Sequence, residues 1–113
     1  MVVDHHAAAR LGVLRLLDEH PDIEAIAVAT GAEALETATR SQIDVAVVDG
    51  QVGPEEDGLT LACDLRRLPT SPHVLIYSAR ADALLAAQAI IAGADGIVDK
   101  RALASELHDA IHD

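Results

Sequence analysis

The sequence predicts an α/β fold, a doubly wound five-stranded parallel sheet with five helices on its two faces. Three observations carry that expectation. Short apolar runs alternate with helix-length amphipathic segments from one end of the chain to the other. The run Ile43 to Val48 is apolar and β-branched enough for a strand buried on both faces, as in the middle of a parallel sheet. The runs also end alike, each on a functional group: Val2-Val3 on Asp4, Ile43 to Val48 on Asp49, Val74 to Tyr77 on Ser78, and Gly96 to Asp99 beside Lys100. Ligands of open parallel sheets gather at the carboxyl ends of the strands, so these four ends predict one site at one rim.

Each element has its own signals. Val2 to Asp4 is a very short first strand. Ala7 to Glu19 is a helix with Ala9, Val13, Leu16 and Leu17 on one face, stopped at His20-Pro21-Asp22 because proline breaks the hydrogen-bond ladder. Ile23 to Ala29 is the second strand. Thr30 and Glu33 have capping-box spacing for a helix to about Arg40. After the third strand, Gly50 to Glu56 reads as a loop rich in glycine and acid. Asp57 caps a helix with the buried stripe Leu59, Ala62, Leu65 and Leu68, and Pro69 to Pro72 end it. His73 to Ser78 is the fourth strand. Asp82 caps a helix to Ala92, and Gly93 terminates it. Gly96 to Val98 is the fifth strand, and a last helix, about Ala102 to His112, turns Leu103, Leu107, Ala110 and Ile111 inward. The flavodoxin-like order 2-1-3-4-5 then sets Asp4 beside Asp49 at the switch point between the first and third strands.

The 113 residues suffice for one domain. Tyr77 is the only aromatic residue, so aliphatic side chains must fill the core. The net charge of −11, from 8 basic and 19 acidic residues, argues against direct binding to nucleic acid or to an anionic membrane. No apolar run reaches the length of a membrane span, and no signal peptide is evident, so a cytoplasmic location is expected. Cys63, the lone cysteine, reads as a packing residue of a helix.

Two carboxylates at a switch point, with a hydroxyl and an ammonium nearby, are suited to a divalent cation and a phosphoryl group. Lys100, the only lysine, would pair with phosphate as a point charge, and Ser78 would hydrogen-bond a phosphoryl oxygen. Asp49 can itself act as a nucleophile, since carboxylates form acyl phosphates. Against this stands the plainer reading that each polar group merely caps a strand end.

The chain resembles, over its whole length, the receiver domain of bacterial two-component response regulators. The resemblance rests on Val2-Val3-Asp4-His5-His6, Val45-Ala46-Val47-Val48-Asp49, Asp57-Gly58-Leu59, Ser78-Ala79 and Gly93 to Lys100, in that order. Arg10 with Gly12 suits the receivers of regulators with a LuxR-type output. The resemblance implies a single receiver domain, 1–113, with no output domain among these residues, that accepts a phosphoryl group on Asp49 from a sensor histidine kinase. It implies Ser78 and Lys100 as the other catalytic groups and Gly50 and Ala79 as backbone contacts to the phosphoryl group. Asp4, Asp49 and the Gln51 carbonyl would hold Mg²⁺, and Ser78 and the position of Ile97 would form the switch. The implied activity is a signalling switch with slow self-dephosphorylation, not a metabolic enzyme.

Three departures qualify the resemblance. His5 replaces the second acid of the first strand end, and imidazole is a poor ligand for Mg²⁺. Losing that charge removes roughly 3 kcal/mol of repulsion at about 6 Å, and with it much of the cation's reason to bind. Weakened Mg²⁺ dependence, and phosphorylation that improves at mildly acidic pH, are therefore expected. The loop after Asp49 is one residue longer than the family norm, with Glu55 and Glu56 reading as solvated acids. Ile97 stands where a switch aromatic is usual, and a β-branched residue has few rotamers.

His108 and His112 lie one helical turn apart, but without a third ligand they read as a solvated helix end. The helix Ala83 to Ala92 is apolar almost all round, which predicts a homodimer through the face of the fourth helix, fifth strand and fifth helix. The alternative function is a degenerate pseudo-receiver, an interaction or dimerisation module indifferent to phosphate. A flavin binder or small hydrolase lacks support, because there is no phosphate-cradling glycine loop after the first strand and almost no aromatic surface.

Overall fold

A computed structural model describes residues 1–53, 56–101 and 109–112. Its central sheet is built from β1 (Val2–Val3), β2 (Ala27–Val28), β3 (Val45–Asp49), β6 (His73–Ser78) and β7 (Gly96–Asp99). All pairings are parallel and the order is β2-β1-β3-β6-β7, the 2-1-3-4-5 arrangement once the two strands of a side ribbon are set apart. The connecting helices are α1 (Ala7–Asp18), α2 (Gly31–Arg40), α3 (Gly58–Arg67) and α4 (Ala83–Ile91). Of the expected last helix, residues 102–108, with Leu103, Leu107 and His108, lie outside the described residues. Residues 109–112 are helical.

Successive strand residues point to opposite faces, and both faces are apolar. Val3, Val48 and Ile76 pack with Ala34 and Ala38 of α2, Leu61, Ala62 and Leu65 of α3, and Ala89 of α4. Val2, Val47, Tyr77 and Val98 pack on the other face with Val13 and Leu17 of α1, joined by Ala110 and Ile111. This two-sided burial makes the strands continuously hydrophobic.

The helix starts follow the expected caps. Thr30 Oγ1 accepts from the Glu33 N–H, Asp57 Oδ1 from Leu59 and Asp82 Oδ1 from Leu85. Gly93 ends α4 with φ of +94°, a left-handed conformation open to glycine.

Three expectations need correction. The second strand covers Ala27–Val28 rather than Ile23 to Ala29, because its neighbour among the described residues, β1, offers two residues to pair with. The segment after Asp49 is not all loop: β4 (Gln51–Gly53) and β5 (Glu56–Asp57) form a short antiparallel ribbon. On α3 the buried stripe runs through Leu61, Ala62 and Leu65, while Leu59 and Leu68 are half-buried at its edges. No helix among the described residues is long and apolar enough to cross a membrane.

Candidate functional site

The sheet register brings the strand ends together. Val3 is level with Val48, so Asp4 follows β1 beside Asp49 at the end of β3. Asp49 is level with Tyr77, and Ser78 with Asp99, which sets Ser78 and Lys100 at the same rim. The Lys100 backbone N–H donates to the Ser78 carbonyl at 2.9 Å, fixing the lysine where its side chain turns back over the sheet.

Lys100 Nζ donates to Asp49 Oδ2 at 2.5 Å and to Asp4 Oδ2 at 3.3 Å. Burial lowers the lysine pKa, but the two carboxylates outweigh it and hold the ammonium above its usual value. Asp4 is 3% exposed. Burial pushes its carboxyl up, while the His6 backbone N–H and the charge and hydrogen bond of Lys100 bring it below the usual carboxylate value. A buried acid can stay ionised here because donors are fixed around it.

Asp4 faces two ways. Oδ2 meets Lys100, whereas Oδ1 accepts from the His6 backbone N–H at 2.9 Å and lies 3.3 Å from His6 Nδ1. Arg10 Nη1 donates to the Asp4 carbonyl at 2.9 Å and anchors the turn into α1. Asp49 Oδ1 accepts from the Gln51 N–H at 3.0 Å, which directs its other oxygen toward Lys100. Ser78 Oγ accepts from the Arg80 N–H at 3.1 Å, and it stands so close to Gly50 that a Cβ there would lie 3.3 Å from it. Gly58 is constrained further, because a Cβ at that position would overlap the Asp49 carbonyl.

The arrangement opens on a cleft of about 640 Å³ lined by His5, His6, Asp49, Gly50, Gln51, Ser78, Ala79, Arg80 and Lys100, with the start of α4 on its far side. A carboxylate held against an ammonium, a hydroxyl and an open cleft can accept and neutralise an anionic group.

The rim thus collects Asp4, Asp49, Ser78, Lys100, Gly50, Ala79, Gln51 and His5. Ile97 is not in it: its side chain is half-buried and packs against the core on the α2–α3–α4 face. Glu56 turns away as well, its carboxylate lying against Gly31 at the start of α2. Glu55 lies outside the described residues. His112 pairs with Asp22 at 2.6 Å, so this helix end is tied to the turn after α1 rather than simply solvated.

Two contributors are not apparent from sequence alone. Tyr77 faces the α1 side of the sheet, where Lys100 Nζ sits 5.8 Å from its ring centroid and its hydroxyl reaches the Lys100 carbonyl at 3.5 Å. His6 is the other, since both its backbone and its ring engage Asp4. The signal for Tyr77 was its uniqueness as an aromatic next to Ser78. For His6 no sequence pattern distinguishes a ring facing the acid from one in solvent.

Comparison with known proteins agrees with this geometry. Residues 1–112 match the family model described as the response regulator receiver domain. The chain is 33% identical over 114 residues to the DNA-binding transcriptional activator DevR/DosR of Mycobacterium tuberculosis, covering 99% of this chain and 52% of that protein. It is 32% identical over 112 residues to the transcriptional regulatory protein UhpA of Salmonella typhimurium, covering 98% of this chain and 55% of that one. The chain therefore spans about half the length of these relatives. A two-component response regulator of the LuxR family from Aurantimonas sp. superimposes with a TM-score of 0.90 at 29% identity, over 99% of this chain and 80% of that one.

Proposed function

The chain belongs to the response regulator receiver domain family, whose members act in phosphorelay signalling, and on that premise we propose that it accepts a phosphoryl group on Asp49 from a sensor histidine kinase. The observation that carries this reading is the contact of Lys100 Nζ with Asp49 Oδ2 at the mouth of the cleft. An Asp49 oxygen attacks phosphorus, the phosphorus–nitrogen bond of the phosphohistidine donor breaks, and the leaving imidazole takes up a proton. Lys100 moves from the carboxylate to the incoming phosphoryl oxygens and offsets their charge. The Ser78 hydroxyl and the Gly50 and Ala79 backbone bind the remaining oxygens. A two-state shift of the Ser78 segment then reaches α4, where Leu84, Ile90 and Ile91 are exposed and form the surface for a second copy of the chain.

Receivers generally hold Mg²⁺ in their acidic pocket, and the donors here match that ion poorly. His5 stands where the first strand end would add a second acid to Asp4 and Asp49, and Asp4 is already shared between Lys100 and His6.

A second reading, an interaction module indifferent to phosphate, is favoured by Ile97, which is packed against the core and lacks an aromatic ring to swing. Incubation with acetyl phosphate and Mg²⁺, followed by intact-mass measurement and sedimentation, separates the two. The first reading expects the added mass of one phosphoryl group, absent from Asp49→Ala, with association that grows on phosphorylation. Association without any gain in mass would establish the second instead.

A further inference from the structure

We propose that Asp4, His5 and His6 form a site for a first-row transition dication of the Zn²⁺ class, distinct in chemistry from the Mg²⁺ site usual in the family. The proposal does not depend on phosphoryl transfer to Asp49.

One donor atom from each of the three residues falls within 4.8 Å of the others. Four-coordinate Zn²⁺, with bonds of about 2.0–2.1 Å, sets its ligands roughly 3.3 Å apart. Asp4 Oδ1 and His6 Nδ1 are already 3.3 Å apart. His5 supplies a second, independent observation: its Nδ1 is buried and has no hydrogen-bond partner among the described residues. A buried ring nitrogen without a partner carries a desolvation cost that a metal bond removes. The two imidazoles lie together, with ring centroids 3.8 Å apart.

The division of labour on Asp4 makes this compatible with the rest of the rim. Oδ1 faces the histidines and Oδ2 faces Lys100, so an ion on the Oδ1 side leaves the Lys100–Asp49 contact in place. Little is sacrificed, because the His6 side chain is 65% exposed and its pairing with Asp4 is a surface interaction on the histidine side. Both histidines line the cleft, which leaves a fourth coordination position open toward it. Two imidazoles and one carboxylate are a borderline set that favours Zn²⁺, Ni²⁺ or Cu²⁺ over a hard ion.

The test is competition for Zn²⁺ between the whole chain and a chromophoric chelator, with thermal unfolding as a second readout. One Zn²⁺ per chain is expected, with a rise in unfolding temperature that equal Mg²⁺ does not produce. His5→Ala and His6→Ala should each weaken binding by about tenfold or more, while His73→Ala and His112→Ala leave it unchanged. His5→Asp, with its fold checked by circular dichroism, should shift the preference toward Mg²⁺. Undiminished Zn²⁺ binding in His5→Ala, equal loss in His73→Ala, or displacement by Mg²⁺ at equal concentration would each overturn the assignment.

Discussion

Replacing Lys100 by Met removes the one ammonium that Asp4 and Asp49 share. Nζ lies 3.3 Å from one carboxylate and 2.5 Å from the other, so the two acids are within about 6 Å of each other. At an effective dielectric near 20, their mutual repulsion is about 3 kcal/mol, and the lysine's attraction to Asp4 alone is about 5 kcal/mol. Desolvation offsets much of that attraction, and breaking a buried pair from one side typically costs about 3–5 kcal/mol. The Lys100 side chain is 25% exposed, which places the expected loss at the lower end, about 3 kcal/mol. Asp4→Asn alone trades lost attraction for lost repulsion and should change stability by no more than about 1 kcal/mol. The double variant should therefore recover about 2 kcal/mol of the Lys100→Met loss, a coupling typical of groups in one network. Urea unfolding followed by far-ultraviolet circular dichroism at pH 7, with EDTA present and the m-value held constant, measures all four proteins. A Lys100→Met loss below about 1 kcal/mol, or effects additive within about 0.5 kcal/mol, would refute the electrostatic account of the rim.

Two further outcomes follow from packing and charge. Gly58→Ala forces a Cβ into the Asp49 carbonyl and should destabilise by about 2 kcal/mol or more, whereas Gly12→Ala, at an exposed position of α1 with nothing within 4 Å, should stabilise by roughly 0.5–1 kcal/mol; thermal unfolding reads both. For Asp95, burial raises the carboxyl pKa, but the Val74 N–H, His73 and Arg66 together lower it below the usual value. A folded-state pKa below the unfolded one stabilises above the unfolded value near 4, and that contribution is lost as pH falls through the folded value. Asp95→Ala should thus cost about 1 kcal/mol at pH 7, discounted for partial exposure, and progressively less as the pH falls from the unfolded value through the folded one. A denaturation series across that range, showing an unchanged acid limb, would contradict this.

Much of the fold was legible because its signals are local. Capping by Thr30, Asp57 and Asp82 depends on residues two or three positions apart, and the helix starts fall where those spacings put them. The second strand was overextended because its length is set by a partner: Ile23 to Ala29 has strand composition throughout, yet β1 pairs with only Ala27–Val28. The ribbon of β4 and β5 was invisible for a similar reason. Its pairing of Gln51 with Asp57 joins polar residues that carry no strand pattern of their own.

Alone, the sequence determined that apolar runs would end on Asp4, Asp49, Ser78 and Lys100, because the identity of a strand's last residue is a property of the chain. Only the tertiary structure decided what those groups do to one another. Register places Asp4 beside Asp49, and Lys100, 51 positions beyond Asp49, closes on both. Such contacts fall off steeply with distance and depend on burial, and neither quantity exists until the sheet has assembled. The same holds for His5 and His6. Adjacency in the chain says nothing of ring direction, whereas in the fold one ring meets a buried acid and the other keeps a buried nitrogen without a hydrogen-bond partner among the described residues.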